Sequence, residues 1–277
     1  MWISRNLGCS ALLRKAFHGN DKSGVCEGGN PISRNGLAFR KGSTRLITSF
    51  WGFIHSLFLV RIRALKRVII TGGTGGLGMA ISGIFRDAGW EVAALGSKDL
   101  NLEDSSAVEA YFSENQCDLL VCAAGGILDQ PLARMAEESW NAVYGLNFVG
   151  ARLCALAVLP GMVSRGGGHV VFVSSYAALH PAVGQAAYAT AKAALLGLTK
   201  DLAEAWGGKG IRVNTILPGF LDTAMTAMVS EKRRETVKDL HFLGEFNTPV
   251  AAAEFVRFLE ERMLWTSGQV FQLDSRP

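Results

Sequence analysis

A chain of 277 residues, 49% hydrophobic and with 32 glycines and seven prolines, can bury one large α/β core. The net charge of +4 is uneven: residues 1–67 contain 12 Lys and Arg but two Asp and Glu, whereas residues 68–277 are mildly acidic, and no nucleic-acid partner is expected. The five cysteines form neither a CxxC pair nor a ligand cluster, which argues against a disulfide framework and a metal site and indicates a reducing, cytoplasmic compartment.

The first part of the chain, residues 1–63, lacks sustained periodicity and is interpreted as a basic, disordered extension preceding a catalytic domain over 64–277. Within it, residues 46–60 are largely apolar, but 15 residues fall short of the roughly 20 that span a bilayer. Two interpretations remain open: an interfacial anchor or degenerate targeting segment that contacts a membrane, and an extension without function. We prefer the second.

The pattern changes abruptly at Lys66. A buried strand over residues 67–71 breaks into GGTGGLG, a helical stretch runs to Gly89, and a second strand follows over 91–95. Glycines in such a turn let the backbone approach a pyrophosphate, and the helix N-terminus offers free N–H groups. The order strand, glycine turn, helix, strand predicts a nucleotide-binding βαβ unit.

Strands and helices continue to alternate through the rest of the chain. Helices are predicted at about 105–115, 137–159, 188–206 and 249–262, and strands at CDLLVCAAGG (117–126), HVVFVSS (169–175), IRVNTIL (211–217) and GQVFQL (268–273). This alternation predicts an α/β fold, a single Rossmann-type domain with a doubly wound, mostly parallel sheet.

Three side chains suit the reduction of a carbonyl group. Tyr188 and Lys192, four residues apart, leave one face of a helix, and Ser175 ends the preceding strand. Tyr188 can donate a proton to the carbonyl oxygen, Lys192 is expected to lower the pKa of the phenol, and Ser175 can bind the oxygen. A Tyr and Lys at this spacing are also common on ordinary helix surfaces.

Two further features accompany this set. The strand ending CAAGG finishes in residues too small to block a ligand over the sheet edge, although close helix packing would explain them equally well. Asn147 is a polar amide in an apolar helix and needs partners. It could satisfy a neighbouring carbonyl, or kink the helix and hold a water.

Together, TGGTGGLG, CAAGG, Asn147, Ser175, the YxxxK of Tyr188 and Lys192, and PGFLDT at residues 218–223 resemble the short-chain dehydrogenase/reductase family in order and spacing. The similarity covers about 66–274, and its last part looks like the 3-oxoacyl-[acyl-carrier-protein] reductase branch. The resemblance implies that Tyr188 is the general acid and base, Ser175 positions the carbonyl, Lys192 also binds the nicotinamide ribose, and Asn147 holds a relay water. It also implies a homo-oligomer, a tetramer or dimer.

The cofactor-binding residues that the resemblance implies come from the glycine turn, the end of the second strand, the CAAGG segment, the catalytic helix and the loop after residue 217. They are Gly72, Thr74, Gly76, Leu77, Gly78, Ser97, Lys98, Asp99, Leu100, Ala123, Ala124, Gly125, Tyr188, Lys192, Pro218, Gly219, Leu221 and Thr223.

The chain departs from the family pattern at three places. Cys122 stands where the family usually has Asn, and the last strand ends in LDSRP instead of glycines. Asp99 and Leu100, read as the family's adenine contact, follow the second strand almost at once. We therefore predict a shortened region after that strand, with one crossover helix missing and the third strand short or absent.

These residues predict an NADP(H)-dependent reductase acting on a ketone or secondary alcohol, with a 3-oxoacyl thioester as substrate class. NADP is preferred to NAD because Ser97 and Lys98 follow the second strand and no acid stands directly at its end. The alternatives are a sugar, steroid or small-alcohol dehydrogenase of the same family, and a nucleotide-binding regulatory protein without turnover.

Residues 220–247 are expected to form a substrate lid. Met225, Met228, Leu240 and Phe242 suggest an apolar ligand. The basic run Lys232, Arg233 and Arg234 would suit an acyl chain on an acidic carrier, or is a solvated charged turn.

Overall fold

The computed structural model describes residues 66–277, which form one sheet flanked by helices. The strands are Arg67–Thr71 (β1), Glu91–Leu95 (β2), Leu119–Cys122 (β3), Gly168–Val173 (β4), Ile211–Leu217 (β5) and Val270–Gln272 (β6). The helices are Gly76–Asp87 (α1), Ser105–Glu114 (α2), Glu137–Tyr144 (α3), Gly150–Ser164 (α4), Ala186–Gly207 (α5), Glu231–Asp239 (α6) and Pro249–Glu261 (α7). The extension predicted over residues 1–63, including the segment 46–60, lies outside the described residues.

All six strands run parallel in the order β2-β1-β3-β4-β5-β6, so the predicted Rossmann-type α/β fold is confirmed. Chain order reverses at β1, which lies between β2 and β3. The ends of three strands are in register there, because Thr71 pairs with Cys122 and Cys122 with Phe172. Ligands of open α/β sheets bind at the carboxyl edge near such a reversal.

The region after β2 is short, as predicted. In the described sheet β2 is an edge strand, and turns alone connect Leu95 to α2. The carboxylate of Asp99 accepts a hydrogen bond from the Gly96 amide at 2.7 Å and closes the first turn. Asp104 then caps α2 by accepting from the Ala107 amide at 3.0 Å. The connection from β2 to α2 is therefore made by turns that two local hydrogen bonds stabilise. The crossover helix and strand of the family pattern are absent from this connection.

Two apolar layers hold the helices on the sheet. One face packs against α2, α4 and α5, with Phe112, Leu159 and Leu195 almost fully buried. The other packs against α1 and α7 through Phe85 and Val256. Each fully buried side chain of this size contributes about 1.5–3 kcal/mol relative to its exposed state. This packing fixes the strand ends on which the site is built.

Two helical features differ from the sequence expectation. The helix predicted over 137–159 extends to Ser164 and contains a π-helical turn at Gly145–Val149. The run Glu137–Ser164 is long and apolar enough to cross a membrane, but buried core helices of soluble proteins pass the same test, and α4 packs Cys154, Leu159 and Met162 against the sheet. Helix α6, inside the predicted lid, was not predicted; Ser230 caps it by accepting from the Arg233 amide at 3.4 Å.

Candidate active site

The end of β4 and the helix α5 are joined by two side-chain hydrogen bonds. Lys192 Nζ donates to the Val173 carbonyl at 2.9 Å, and Ser174 Oγ donates to the Lys192 carbonyl at 2.8 Å. The predicted helix spacing places Tyr188 and Lys192 on the buried side of α5, at 8% and 4% exposure. Ser175, Tyr188 and Lys192 therefore meet at the carboxyl edge of the sheet.

Tyr188 is held as a protonated phenol. Burial raises its pKa above the ordinary value, a hydrogen bond with the Ser175 side chain lowers it in part, and the Asp129 carboxylate raises it further. Ser175 Oγ itself accepts from the Ala177 amide at 3.2 Å. A phenol hydrogen-bonded to a serine hydroxyl can present a proton to an oxygen bound between them.

The net lowering of the Tyr188 pKa that we expected from Lys192 is not found. Lys192 Nζ lies 5.7 Å from the centroid of the Tyr188 ring and directs a hydrogen bond to Val173, so the burial of the phenol dominates. Burial also lowers the pKa of Lys192, to about 8, against a smaller raising effect of Cys122. The amine thus sits near its own titration point at physiological pH.

Asn147 lies in the π-helical turn between α3 and α4 and is 1% exposed. Its amide group donates to the carbonyls of Gly126 and Val143, each at 2.8 Å. Within residues 66–277 its Oδ1 atom is buried and has no hydrogen-bond partner. A Cβ on Gly125 would lie 2.6 Å from this oxygen and 3.3 Å from Lys192 Nζ, so the two polar atoms flank one spot. An unpaired buried acceptor there is suited to a water.

The glycine turn after β1 is packed too closely for side chains. A Cβ on Gly72, where φ is +69°, would lie 2.6 Å from the Ala124 backbone. One on Gly78 would lie 2.1 Å from the Gly72 carbonyl oxygen, and one on Gly76 would lie 2.6 Å from Thr223 Cγ2. The turn and the first amides of α1 are consequently bare backbone, which is the surface that a phosphate group needs.

One cavity of about 1620 Å³ runs along this edge of the sheet and contains most of the predicted site. Among the described residues that line it are Ser175, Tyr188, Lys192, Gly72, Thr74, Gly76, Leu77, Gly78, Ser97, Leu100, Ala123, Ala124, Gly125, Pro218, Gly219, Leu221 and Thr223. Asn147 adjoins it through Gly125. The lining described for the cavity leaves out Lys98 and Asp99; Asp99 is turned back onto Gly96.

Comparison with known proteins identifies the family. Residues 100–234 match the family model of the short chain dehydrogenases. The chain is 33% identical to the 3-oxoacyl-[acyl-carrier-protein] reductase of Thermotoga maritima, over 76% of this chain and 96% of that one. It is 31% identical to the reductase of the same name from Chlamydia trachomatis, with the same two shares covered. The chain is a short-chain dehydrogenase/reductase. It therefore belongs to a family of NAD(P)-dependent oxidoreductases.

A solved structure agrees with this assignment of the short-chain dehydrogenase/reductase. A protein of Beutenbergia cavernae described as an NAD(P)-dependent gluconate 5-dehydrogenase, with bound NADP, superposes with a TM-score of 0.73. It is 26% identical, and the match covers 76% of this chain and 95% of that one. In the present chain, the glycine turn without side chains and the cavity beside it are suited to bind a dinucleotide.

Several residues that line the cavity were not predicted from the sequence. They are Asn101, Leu102 and Glu103 after β2, Tyr176 and His180 after β4, and Arg276 after β6. Leu102 is an apolar residue between polar ones, two positions before the helix cap Asp104, and this was the one available signal in the sequence. The positions of Tyr176, His180 and Arg276 depend on loops and carry no such signal.

The segment predicted as a lid, residues 220–247, contributes apolar and basic groups to the cavity lining. Met225, Met228 and Leu240 line the cavity, although all three are exposed, and Phe242, also exposed, is outside its described lining. Of the basic run, Arg233 lines the cavity. Arg234 instead forms an ion pair with Asp222, and its guanidinium carbon lies 5.5 and 5.6 Å from the centroids of the Phe220 and Phe246 rings. These contacts join residues within the segment 220–247.

The close contact between Gly76 and Thr223 allows a test of whether the glycine turn binds the nucleotide. Gly76→Ala would place a methyl group 2.6 Å from Thr223 Cγ2 and 2.8 Å from its Cβ, so the loop or the first turn of α1 must move. We expect the dissociation constant for NADPH, measured by fluorescence titration, to rise about tenfold, which corresponds to about 1.4 kcal/mol.

A second substitution separates steric effects from other effects. Thr223→Gly removes both crowding atoms and leaves Thr223 Cα at 3.7 Å, so the double variant should recover most of the affinity. Gly83→Ala is the matched control, because it lies on the same helix with nothing within 4 Å of the added Cβ. Equal effects of Gly83→Ala and Gly76→Ala would contradict the expectation.

Proposed function

We propose that the protein is an NADP(H)-dependent reductase that interconverts a 3-oxoacyl thioester and its 3-hydroxy product. The observation that carries the proposal is that Ser175, Tyr188 and Lys192 line one cavity together with the bare glycine turn. The names of the Thermotoga and Chlamydia relatives support the substrate class. The apolar lid residues Met225, Met228 and Leu240 support an acyl chain.

Each group of the chain has a separate task in this proposal. A bound nicotinamide would supply the hydride. Ser175 and Tyr188 hold the ketone oxygen, and Tyr188 donates the proton from its hydroxyl as negative charge develops there. The Tyr188 phenolate is then reprotonated through Lys192 Nζ and a water held at Asn147 Oδ1, which flank the same spot beside Gly125. Pro218, Gly219, Leu221 and Thr223 would lie along the nicotinamide side of the cavity.

The choice of NADP over NAD depends on the turn after β2. Ser97 lines the cavity and Lys98 follows it, and a hydroxyl and a cation suit a 2′-phosphate. The Asp99 carboxylate, bonded to the Gly96 amide, puts an acid closer to the strand end than the sequence indicated, which favours NAD. Because one oxygen of the Asp99 carboxylate already accepts a hydrogen bond from the Gly96 amide, we still propose NADP as the preferred cofactor. Lys98→Asp should reverse the preference.

A cofactor and substrate screen tests the proposal. Oxidation of NADPH and of NADH is followed at 340 nm with acetoacetyl-N-acetylcysteamine, a thioester that needs no carrier protein. We expect kcat/KM with NADPH to be about tenfold higher than with NADH. This ratio corresponds to a difference of about 1.4 kcal/mol in the free energy of the transition state. Turnover of polyols and sugar ketones without turnover of the thioester would contradict the substrate class.

A dehydrogenase acting on a sugar acid or another small alcohol is the second candidate. The gluconate 5-dehydrogenase neighbour supports it, as do the polar groups of His180 and Arg276 in the cavity lining. The same screen, run with gluconate and NADP+ in the oxidative direction, separates the two. We also propose that the protein is cytoplasmic and forms a homo-oligomer, either a dimer or a tetramer. Light scattering of the full chain tests this oligomeric state.

A further inference from the structure

The segment that follows β6 enters the cavity, at the place where the sequence departs from the family ending. Gly219, with φ at +88°, packs against Asp274 so closely that a Cβ would lie 2.7 Å from Asp274 Cβ. The Phe242 amide donates to the Ser275 carbonyl at 3.0 Å, and the Leu243 amide donates to Ser275 Oγ at 3.2 Å. The segment is thereby fastened to the end of the lid and to the loop after β5.

These contacts present Arg276 to the cavity in one fixed orientation. Its side chain is 8% exposed, and its Nε donates to the Asp274 carboxylate at 2.6 Å. Asp274 is itself 1% exposed and also accepts from Gln272 Nε2 at 3.0 Å. The guanidinium carbon lies 3.7 Å from the centroid of the Tyr176 ring, which stacks on His180 at 4.5 Å. An aromatic face and a buried carboxylate together hold the guanidinium plane.

The Nη groups of Arg276 remain available. Within residues 66–277 the hydrogen bonds of this guanidinium involve Nε alone, and Arg276 lies over Tyr176 and lines the same cavity as Ser175. Two parallel N–H donors at the end of a fixed guanidinium match the oxygen of a carbonyl or carboxylate. Because Arg276 is already paired with Asp274, the ligand need not carry a negative charge, and a neutral carbonyl oxygen can accept these hydrogen bonds.

We infer that Arg276 is a specificity-determining residue whose Nη groups bind an acyl oxygen of the ketone substrate, either the carbonyl of a thioester or a carboxylate oxygen. The inference rests on the proposed reduction of a ketone at Ser175 and Tyr188. It adds a second polar contact, so that a ketone bearing an acyl group is oriented at two points and a simple ketone at one.

Three ketones test the inference in the Arg276→Gln variant of the full chain: acetoacetyl-N-acetylcysteamine, acetoacetate and 2-pentanone, each with NADPH. A charge-assisted hydrogen bond lost from the acyl oxygen should cut kcat/KM by about 10- to 100-fold, mainly through KM, while 2-pentanone changes less than about threefold. Whether the thioester or the carboxylate suffers the loss identifies the acyl group that is bound. Equal losses on all three ketones, or no loss on either acyl substrate, would overturn the inference.

A binding measurement keeps the inference apart from the proposed function. Butyryl-N-acetylcysteamine has the thioester but no ketone, and its affinity for the protein with NADP+ is measured by calorimetry. Arg276→Gln should weaken the binding of this thioester, or of butyrate as its carboxylate counterpart, about tenfold even if no ketone is reduced, and unchanged binding of both would overturn the inference. Absence of ketone turnover with intact Arg276-dependent binding would count against the proposed function alone.

Two further variants control for folding. Arg276→Lys keeps a cation beside Asp274 but lacks the planar fork, so it should lose about as much binding as Arg276→Gln while melting at the temperature of the unsubstituted protein. Arg257→Gln removes an arginine that pairs with Glu261 on α7, and it should affect neither turnover nor binding. Full retention of thioester binding in Arg276→Lys would leave only a charge effect and overturn the assignment of the fork.

Discussion

Replacement of Tyr188 by phenylalanine is expected to lower kcat for ketone reduction by about two to four orders of magnitude, the usual contribution of a positioned general acid. The reason is local. The Tyr188 hydroxyl is buried, its pKa is raised by burial, and the Ser175 side chain lowers that pKa in part. We therefore propose it as the proton donor at this end of the cavity at neutral pH. The measurement is steady-state oxidation of NADPH with acetoacetyl-N-acetylcysteamine.

The same variant should keep its nucleotide site. Because the phenylalanine ring fills the space of the phenol, the dissociation constant for NADPH should change by less than about threefold, which corresponds to less than 1 kcal/mol. Tyr111→Phe is the matched control: Tyr111 lies on α2, beside Phe112 and away from the described cavity lining, and turnover should be unaffected. Undiminished turnover in Tyr188→Phe would exclude it as the proton donor.

The sequence was sufficient for the parts of this protein that repeat local rules. The strand Arg67–Thr71 was predicted at both ends and the end of the following helix within two residues, because bare backbone at the turn and apolar periodicity in the helix leave few alternatives. The shortened region after β2 was also predicted, from the absence of residues between Leu95 and Asp99 that could build another crossover. The sequence predicted a doubly wound, mostly parallel sheet but not the order of its strands, which comes from the structure.

Features that depend on tertiary environment were not predictable in the same way. The pKa of Tyr188 was expected to fall because of Lys192, yet burial raises it, and burial of both groups is a property of the packed α5 and not of their spacing. In the π-helical turn, the amide group of Asn147 donates to the carbonyls of Val143 and Gly126. Gly126 is distant in sequence, so the hydrogen bond could not be foreseen.

The cavity lining shows the same division. Glycine-turn residues were identified from the sequence, whereas Tyr176, His180 and Arg276 were missed. The ending LDSRP was recognised as a departure, but its consequence depends on the fit of Asp274 against Gly219 and of Arg276 over Tyr176. Close packing between segments far apart in the chain decides where such side chains point, and a single sequence carries no record of that packing.

Lys192→Met is expected to separate activity from stability. Turnover should fall by at least about a hundredfold, within the range for groups that assist proton transfer, because no amine then remains beside Tyr188 and Gly125. The effect on stability should depend on pH. Burial lowers the pKa of Lys192 to about 8 from an ordinary value of 10.5, so the folded protein resists protonation of this amine.

The sign follows from proton binding. Between about pH 8 and 10.5 the unfolded chain holds a proton on Lys192 that the folded chain has lost, so the unsubstituted protein gains stability as pH rises through this window and loses it as pH falls to 8. Methionine has no such dependence. The melting temperature of Lys192→Met, relative to the unsubstituted protein, should therefore be several degrees higher at pH 7 than at pH 10, for a linkage of about 1–3 kcal/mol.

Two contributions are removed by taking this difference between pH values. The Val173 carbonyl loses its 2.9 Å hydrogen bond in Lys192→Met, at a cost of about 1–3 kcal/mol that does not depend on pH and so cancels. Lys200→Met on the same helix replaces an exposed lysine, and its relative melting temperature should stay constant from pH 7 to 10. A flat profile for Lys192→Met as well would mean that the amine is hydrated in solution. Burying Lys192 beside Tyr188 would then cost the chain no stability at neutral pH.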